Sequence, residues 1–261
     1  MRNTLIDPYE PLPRSIVVTA NDYPAGLTFP VHAHASGQFA FASRGMITVS
    51  TPQGRWFVPP QRACWVPAGV SHEMTMSGPV TMLNAFVTSE ASVSAGLPDR
   101  CCVCGVSPLL RRLLDDAVDL PPMYDEQARD GKLMALLLAE MAAMAAVRRL
   151  SLHAPLPDDA VLARVCRNVF ATPSMTMDLD LVATMASMSR RTFTRRFREA
   201  TGVSFAQWRQ QVCLLAAVER LSDGQSVTRV ALDLGYGSPS AFTAAFRRVL
   251  GDAPSRYLAI A

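Results

Sequence analysis

The feature that most constrains this chain is a short helical pattern that occurs twice in its C-terminal part. The first copy runs from Asp178 to Gly202 and the second from Ser226 to Gly251. Each copy has a segment with apolar residues at helical spacing, a turn, a Ser that can cap a second helix, and two Phe four residues apart on that helix. The paired residues are Phe193 with Phe197 and Phe242 with Phe246. The sequence therefore predicts two helix-turn-helix units in one polypeptide.

The first copy carries most of the positive charge of this region. Five Arg lie between Arg190 and Arg198 with no acidic residue among them. From Asp158 onward the chain has 13 Arg against nine acidic residues, whereas the preceding residues hold 12 basic and 13 acidic side chains. A basic excess concentrated on one short helix suits binding to phosphate groups.

Helical geometry separates two faces of the segment that follows Ser189. Phe193, Phe197 and Ala200 share one face, which we expect to lie in the core. The opposite face presents four residues, namely Arg191, Thr194, Arg195 and Arg198. A helix with Arg on its outer face can enter the major groove of DNA, where Arg makes two hydrogen bonds to guanine. The alternative is an ordinary Arg-rich face in contact with solvent.

The second copy repeats this geometry with weaker charge. Ser238 is placed to cap its second helix, and Pro239 stands at the first helical position, where a missing N–H costs nothing. The outward face consists of small side chains followed by two Arg: Ser240, Ala241, Thr243, Ala244, Arg247 and Arg248. Small side chains allow close approach to DNA and contact with thymine methyl groups. We therefore expect this helix to contribute fit and phosphate contacts more than base discrimination.

The first helix of each copy is expected to bury one apolar side. These sides comprise Leu179, Leu181, Val182 and Met185 in the first copy, and Val227, Val230, Ala231 and Leu234 in the second. Between the copies, Val203–Leu221 has a continuous helical pattern about 28 Å long. That length is close to the ~34 Å turn of DNA that separates successive major grooves on one face. A rigid spacer of this length is what two DNA-reading helices in one chain would need.

The C-terminal residues from 158 to 261 resemble the DNA-binding domain of AraC/XylS-type transcriptional regulators. The resemblance covers about 100 residues and includes the patterns AxxxGYxSxxxFxxxF at Ala231–Phe246 and GxxPxxY at Gly251–Tyr257. It implies base-reading positions at Arg191, Thr194 and Arg195 in the first copy, and at Ser240, Thr243 and Ala244 in the second. Arg196, Arg198, Arg247 and Arg248 complete the expected DNA-binding set. One departure is Cys213, which stands where the family usually has an Arg in the spacer helix.

The N-terminal residues are predicted to form β-structure followed by helices. Short strand-like segments separated by Pro and Gly favour a small sandwich or barrel over residues 1–105. The predicted strands are Ser15–Ala20, Gln38–Ala42, Met46–Ser50, Arg55–Val58, Ala63–Val66 and Val80–Val87. Four aromatic residues on them, Phe39, Phe41, Trp56 and Trp65, either line a pocket or belong to the core.

Residues 106–150 complete this first domain with two predicted helices. Val106–Leu120 has an apolar stripe made of Leu109, Leu110, Leu113, Leu114 and Val118. Asp125–Arg149 is apolar around most of its circumference, so we expect it to be buried on more than one side, as a packing helix, a dimer interface or both. Residues 151–159, with two Pro in the surrounding stretch, are expected to form a linker to the DNA-binding domain at 160–261.

Three of the four His in the chain lie in two short motifs of this N-terminal part. His32 and His34 form an HxH pair followed by Gln38, and His72 ends the run PAGVSH. These motifs resemble those of cupin barrels, which gather three His and a Glu around one metal. Here Gln38 takes the Glu position. The resemblance implies either a divalent metal such as Zn, Ni or Fe or an organic effector held by inherited pocket residues.

Cys101, Cys102 and Cys104 cluster near the end of the predicted β-structure. They belong either to a buried strand or to a thiol sensor, which would need exposed sulfurs beside positive charge such as Arg100.

The sequence as a whole predicts an α+β protein of two domains, a cupin-like sensor barrel with its helices and an all-α double helix-turn-helix domain. The expected function is transcriptional regulation by binding promoter DNA, without enzymatic activity. The expected partners are a small-molecule effector, a second copy in a homodimer, and RNA polymerase. The alternatives are a metal-dependent cupin enzyme with an accessory helical domain, and an adaptor whose helices bind protein. No apolar run reaches the 18 residues of a membrane span, and MRNTLIDPYEP has no signal-peptide core, so a cytoplasmic location is expected.

Overall fold

The computed structural model describes residues 12–147, 153–222, 224–250 and 253–259. The chain divides near residue 150 into two compact units, and the short segment Pro52–Arg55 groups with the second unit. The first unit contains a sheet with helices and the second is almost entirely helical, as predicted for an α+β protein. No helix in the described part of the chain is both long enough and apolar enough to cross a bilayer.

Two long strands organise the sheet of the first unit. Its strands are β1 (Ile16–Tyr23), β2 (Thr28–His32), β3 (Gly37–Thr51), β4 (Gly54–Val58), β5 (Arg62–Val66), β6 (His72–Val87) and β7 (Cys102–Gly105). β3 and β6 pair antiparallel along nearly their whole length. β1 pairs with the C-terminal half of β6, β2 with its N-terminal half, and β5 with the first half of β3. β1, β2 and β7 each have one strand partner, so hydrogen bonding among the described residues leaves the expected barrel open.

The middle of β3 is irregular, and this is where the prediction of two separate strands was wrong. The register with β6 shifts between Ala42 and Met46. Gly45 adopts a φ of +75°, and a Cβ there would lie 2.3 Å from the carbonyl oxygen of Pro79. Bulges of this kind bend a strand without ending it. A single bent strand therefore replaces Gln38–Ala42 and Met46–Ser50.

One face of the sheet packs on helices and forms the main core of this unit. The helices are α1 (Ser89–Ser94), α2 (Pro108–Ala117) and α3 (Arg129–Val147). Alternate strand residues, including Phe39, Phe41 and Trp65, pack with Leu110, Leu114, Leu137 and Met141. These three aromatic residues therefore belong to the core. Leu109, predicted in the buried stripe of α2, is 48% exposed because it lies beside that stripe.

The other face of the same strands carries polar residues. Gln38 pairs in register with Phe86, and Asn84 pairs with Ala40, so both amides lie on the face away from the helices. Gln38, Asn84 and His72 are all buried. Buried polar groups need partners, and Gln38 and Asn84 are hydrogen-bonded to each other.

The second unit consists of seven helices and one short strand among its described residues. They are β8 (His153–Pro155), α4 (Ala160–Ala171), α5 (Leu179–Met185), α6 (Arg190–Thr201), α7 (Phe205–Ser222), α8 (Val227–Asp233), α9 (Pro239–Leu250) and α10 (Pro254–Ala259). β8 falls inside the predicted linker, of which residues 151–152 lie outside the described residues. Of the GxxPxxY pattern at Gly251–Tyr257, residues 251 and 252 and the side chain of Tyr257 lie outside the described part of the chain.

Candidate nucleic-acid interface and histidine cluster

The first helix-turn-helix unit holds α6 by its aromatic side. Ser189 caps the helix, its hydroxyl accepting a hydrogen bond from the Thr192 amide at 3.2 Å. Phe193 and Phe197 are fully buried, and both rings lie 5.4 Å from that of Phe205 at the start of α7. This packing turns the opposite side of α6 to solvent. Ala200, predicted to face the core, is exposed because the helix is already near its end there.

The outward side of α6 gathers the predicted Arg residues. One open surface, named here the α6 surface, is lined by Arg190, Arg191, Thr194, Arg195 and Arg198. Arg190 pairs with Asp180 at 3.3 Å, and Arg195 pairs with Glu199 at 3.1 Å. Within the described part of the chain, Arg191 and Arg198 have no carboxylate partner. The surface therefore offers cationic donors that a phosphate or a guanine edge could engage.

Arg196 is placed differently from the other predicted DNA-binding residues. Its guanidinium pairs with Asp159, the residue that caps α4 by accepting hydrogen bonds from the Val161 and Leu162 amides at 3.0 Å. The Leu162 amide and the nearby Arg196 lower the pKa of Asp159. Arg196 thus ties α6 to α4 and does not line the α6 surface.

The second helix-turn-helix unit presents α9 in the same way as the first presents α6. The Ser238 hydroxyl accepts a hydrogen bond from the Ala241 amide at 3.1 Å, and Pro239 is the first residue of the helix, as predicted. Phe242 and Phe246 are fully buried. The outer face, named here the α9 surface, is lined by Pro239, Ser240, Thr243, Ala244, Arg247 and Arg248.

α7 and α5 differ from the prediction, α7 in its length and α5 in which residues it buries. α7 has 18 residues, which corresponds to about 27 Å. Cys213 lies fully buried within it, and burial raises the pKa of its thiol to about 12, so it behaves as a small apolar residue. On α5, Val182 is buried as predicted, but Leu181 is 57% exposed because Ala183 takes its place in the core.

Three imidazoles converge in the first unit, and they are named here the histidine cluster. His32 at the end of β2 pairs in register with His72 at the start of β6, and His34 lies two residues beyond His32. The ring centroids are 4.4 Å apart for His32 and His72, 4.9 Å for His32 and His34, and 5.4 Å for His34 and His72. One ring nitrogen from each lies within 4.8 Å of the others, a spacing suited to one metal ion.

Backbone carbonyls fix the orientation of two of these rings. Nδ1 of His32 lies 2.7 Å from the Pro30 carbonyl oxygen, and Nδ1 of His72 lies 2.8 Å from that of Val70. In a neutral ring the nitrogen beside a carbonyl carries the proton, so each Nε2 keeps a lone pair. A hydrogen bond of this kind is a usual accompaniment of metal-ligating His.

His34 is the most isolated member of the histidine cluster. It is 8% exposed, and neither ring nitrogen has a hydrogen-bond partner among the described residues. Burial, followed by the nearby rings of His72 and His32, lowers the pKa of His34 to about 4. Burial also lowers the pKa of His72. At neutral pH these two rings are therefore uncharged and available as ligands.

Gln38 lies beside the histidine cluster as the sequence motif predicted. Its Oε1 is 3.2 Å from Nε2 of His72, and its Nε2 donates to Oδ1 of Asn84 at 2.9 Å. Asn84 was not predicted as a site residue. Its signal in the sequence was a lone amide at the centre of the apolar segment Val80–Val87.

The cysteine cluster does not form a comparable site. Cys102 and Cys104 are buried in β7, and burial raises the pKa of Cys104 to about 12. The same cause raises the pKa of Cys101 to about 12. Protonated, largely buried thiols are poor nucleophiles and poor metal ligands, which favours the interpretation as a buried strand.

Comparison with known proteins agrees with the arrangement of the second unit. A family model described as a helix-turn-helix domain matches residues 182–260. The HTH-type transcriptional regulator NimR of Escherichia coli K12 is 32% identical over 233 residues, covering 89% of this chain and 83% of that protein. A putative AraC-like transcription regulator of Streptomyces antibioticus is 28% identical over 193 residues, covering 74% of this chain and 54% of that protein.

Among solved structures, the DNA-binding domain of AdpA in complex with a target DNA is 39% identical, covering 37% of this chain and 88% of that chain with a TM-score of 0.35. NimR aligns with both units of the present chain, whereas the family model matches only the second. The chain therefore belongs to the AraC/XylS-type family of helix-turn-helix transcriptional regulators.

Proposed function

We propose that this regulator controls transcription in response to a ligand bound at the histidine cluster. As a member of a family of DNA-binding regulators it is not an enzyme, which removes the metal-dependent cupin enzyme as an alternative. The observation that carries the proposal is the convergence of three imidazoles, one of them buried without a hydrogen-bond partner among the described residues, in the same chain as two helices whose Arg-bearing faces lie outward. A cytoplasmic location follows from the access to promoter DNA that this function requires.

The proposed contacts with DNA divide between the two helices. Arg191, Thr194 and Arg195 of the α6 surface read bases, and Arg198 contacts phosphate. Ser240, Thr243 and Ala244 of the α9 surface fit closely against the groove, with Arg247 and Arg248 on phosphates. Support comes from exposure, because both sets lie outward while the Phe pairs of each helix are fully buried. RNA polymerase is the proposed partner of the promoter-bound form.

The test of base reading is substitution of one unpaired Arg. A duplex is first selected from a random-sequence library with the full-length protein. Arg191→Ala should then weaken binding to that duplex by about 1–3 kcal/mol and relax the base preference at one position. Arg112→Ala on α2 removes the same charge from the first unit and should leave affinity unchanged. Equal affinity of Arg191→Ala and wild type would contradict the assignment of the α6 surface.

The proposed ligand class is a first-row divalent metal such as Zn²⁺, Ni²⁺ or Fe²⁺. Nε2 of His32, Nε2 of His72 and one nitrogen of His34 would hold it, with Oε1 of Gln38 as a fourth, neutral donor. A neutral His72 has one N–H, and its Nδ1 donates it to the Val70 carbonyl oxygen. Its Nε2 therefore keeps a lone pair, which lies 3.2 Å from the Gln38 oxygen, and both atoms fit such an ion as ligands. A cation bound there would be coordinated by both of these atoms. An organic effector that donates hydrogen bonds to the same atoms is the second candidate.

Elemental analysis and binding of Zn²⁺, Ni²⁺ or Fe²⁺ to the full-length protein test this proposal. Wild type should bind about one equivalent, and His34→Ala should weaken metal binding. Metal addition should also change the affinity for the selected duplex. Metal that persists in the double variant His32→Ala with His72→Ala would contradict metal binding at the histidine cluster. Binding of metal without any change in DNA affinity would separate the site from regulation.

A homodimer through α3 is the proposed route from the ligand to DNA. Residues Leu136, Ala139 and Ala143 form an exposed small and apolar stripe on α3, at spacings of three and four residues. A second copy of the same stripe is self-complementary and gives a closed two-fold contact. Ligand binding would then alter the spacing of two DNA-binding units. Leu136→Glu should convert the dimer to a monomer in analytical ultracentrifugation, while a dimer that survives this change would place the interface elsewhere.

A further inference from the structure

A short loop in the second unit contacts α7, the helix between the two helix-turn-helix units, and the turn that follows α8 in the second of them. It comprises Ser174–Met177 and is named here the interlock loop. The Met175 amide donates to the carbonyl oxygen of Leu234, the residue directly after α8, at 2.8 Å. The Met177 carbonyl accepts a hydrogen bond from the guanidinium of Arg209 on α7. The loop leads directly into Asp178, which caps α5.

The interlock loop is compact and closely packed. The hydroxyls of Ser174 and Thr176 lie 2.8 Å apart, and the Thr176 amide donates to the Ser174 hydroxyl at 3.2 Å. On the other side, Gly235 follows α8 with a φ of +77°. A Cβ at Gly235 would lie 3.0 Å from Cγ2 of Thr176 and 3.1 Å from the Ser174 hydroxyl. The turn of the second helix-turn-helix unit therefore approaches the loop more closely than most side chains would allow.

Arg209 connects the same loop to the aromatic side chains that hold α6 in the first helix-turn-helix unit. Its guanidinium lies 6.0 Å from the centroid of the Phe205 ring. Phe205 in turn packs on Phe193 and Phe197 of α6. The Nε of Arg209 is buried and has no hydrogen-bond partner among the described residues, so its side chain is held by packing as well as by the Met177 carbonyl.

We propose that the interlock loop and Arg209 are positioning elements that fix the orientation of α6 relative to α9. α7 connects the two helix-turn-helix units along the chain, packs on α6 through Phe205, and accepts a hydrogen bond from Arg248 of α9 on the Gln210 side chain. The loop adds a further connection, from Arg209 of α7 through Met177 and Met175 to the residue that follows α8. This inference rests on the proposed reading of DNA by both helices.

The physical consequence is a preference for one spacing of the two DNA segments. Two binding elements in one rigid body gain affinity because the second binds at a high effective concentration. That gain requires the correct geometry, and one inserted base pair rotates the second segment by roughly 35° and shifts it by about 3.4 Å. Loosening the interlock should lower affinity for duplexes with the preferred spacing. It should also reduce the loss of affinity that inserted base pairs cause.

The experiment compares duplexes that differ only in spacing. Wild-type full-length protein selects a duplex from a random library, and footprinting locates the two contacted segments. Duplexes with one or two base pairs inserted between those segments are then prepared. Affinities are measured for wild type, Arg209→Met and the control Arg220→Met, which removes the same charge from the same helix three turns away. Arg209→Lys, which keeps a donor toward Met177, serves as the conservative variant.

For wild type, one inserted base pair should lower affinity about tenfold or more. Arg209→Met should bind the selected duplex about tenfold more weakly and discriminate spacing less than about threefold. Arg220→Met should keep the wild-type spacing ratio, and Arg209→Lys should recover part of it. An unchanged spacing ratio in Arg209→Met would overturn the interlock while leaving base reading by α6 intact.

Wild type without any spacing preference would instead overturn reading by two helices, and the interlock with it. If circular dichroism shows that Arg209→Met is unfolded, Gly235→Ala replaces it, because the added methyl pushes on Thr176 from the opposite side. The same loss of spacing discrimination is expected of that variant. A folded Gly235→Ala protein with the wild-type ratio would count against the proposal.

Discussion

The carboxylate of Glu199 lies on the same face of α6 as the Arg residues proposed to contact DNA. Nη1 of Arg195 lies 3.1 and 3.2 Å from its two oxygens. Both side chains are about 60% exposed, at 63% and 60%, so the pair contributes little to folding stability. Its effect on binding is different, because a negative charge beside an Arg that is proposed to read bases repels phosphate at every site and restrains the rotamers of that Arg.

Glu199→Gln should therefore increase affinity for non-specific DNA by about threefold, since one repulsive charge is removed. Affinity for the selected duplex should rise less, because Arg195 loses its restraint, and the specificity ratio should fall. Fluorescence anisotropy with the selected and a scrambled duplex measures both. Glu90→Gln on α1 removes the same charge from the first unit and should change neither value. A specificity ratio that rises in Glu199→Gln would contradict this role.

A second residue-scale prediction concerns His153 in β8. Burial lowers the pKa of His153 to about 4, from an ordinary 6.5. Because the unfolded chain binds this proton more readily than the folded one, stability is complete above pH 6.5 and declines as the pH falls toward 4. The decline attributable to His153 has an upper limit of about 1.4 kcal/mol per pH unit.

Urea unfolding at pH 7, 5.5 and 4.5, with chelator present, measures this dependence. His153→Gln should show a shallower loss of stability than wild type over the same range. Parallel curves for the two proteins would mean that His153 keeps an ordinary pKa in the folded state.

At the scale of elements, the bend in β3 depends on Gly45. An Ala there meets both a strained φ of +75° and the Pro79 carbonyl oxygen at 2.3 Å. Gly26 has nearly the same φ, +76°, with no atom within 4 Å of an added Cβ. Gly26→Ala should therefore cost about 1–2 kcal/mol through backbone strain alone. Gly45→Ala should cost about 1–3 kcal/mol more, through the steric clash.

Chemical denaturation of both variants separates the two contributions. Equal destabilisation would show that the strands at the bulge can move apart without cost, and it would remove the steric argument for Gly45.

The elements best predicted from sequence are those whose local signals agree. α4 (Ala160–Ala171) begins directly after the predicted linker, because Asp159 caps an uninterrupted apolar period. β2 was missed because Thr28–His32 is a short, mostly exposed edge strand containing Pro30, and its order comes from pairing with β6. The caps of α6 and α9 were predicted correctly, since a Ser before a helix acts through its own neighbouring amides.

In the candidate sites, too, local patterns were predicted from the sequence and contacts between distant residues were not. The three His of the histidine cluster and the neighbouring Gln38 were predicted from the resemblance of two short motifs to those of cupin barrels. Asn84 was missed because it reaches Gln38 across 46 residues, through the register of β3 with β6. Arg196 was included in the expected DNA-binding set with the other Arg of this helix. Its contact with Asp159, a residue 37 positions away, has no signal in the local sequence.

At the scale of the whole molecule, the distribution of charge governs how salt affects binding. The Arg excess lies in the second unit, and six of its Arg line the α6 and α9 surfaces. Neutralised phosphates release counterions, so the logarithm of affinity should fall linearly with the logarithm of salt concentration. Each phosphate contact contributes a slope of about 0.9.

Arg198→Ala should therefore reduce the magnitude of that slope by about 0.9, the contribution of one phosphate contact. The loss of affinity should be similar for the selected and the scrambled duplex. Binding measured from low to moderate salt provides the slope. Wild-type affinity that does not change with salt would contradict phosphate contact by these surfaces.

The contact between Asp159 and Arg196 also has an evolutionary consequence. A single carboxylate caps α4 through two amides and holds a guanidinium of α6. Ser, Thr or Asn can replace Asp as a cap, but none of them supplies a negative charge for Arg196. Descendants of this sequence that exchange the acid at position 159 for a neutral cap are thus released from keeping Arg at position 196, and the two positions should change together over evolution.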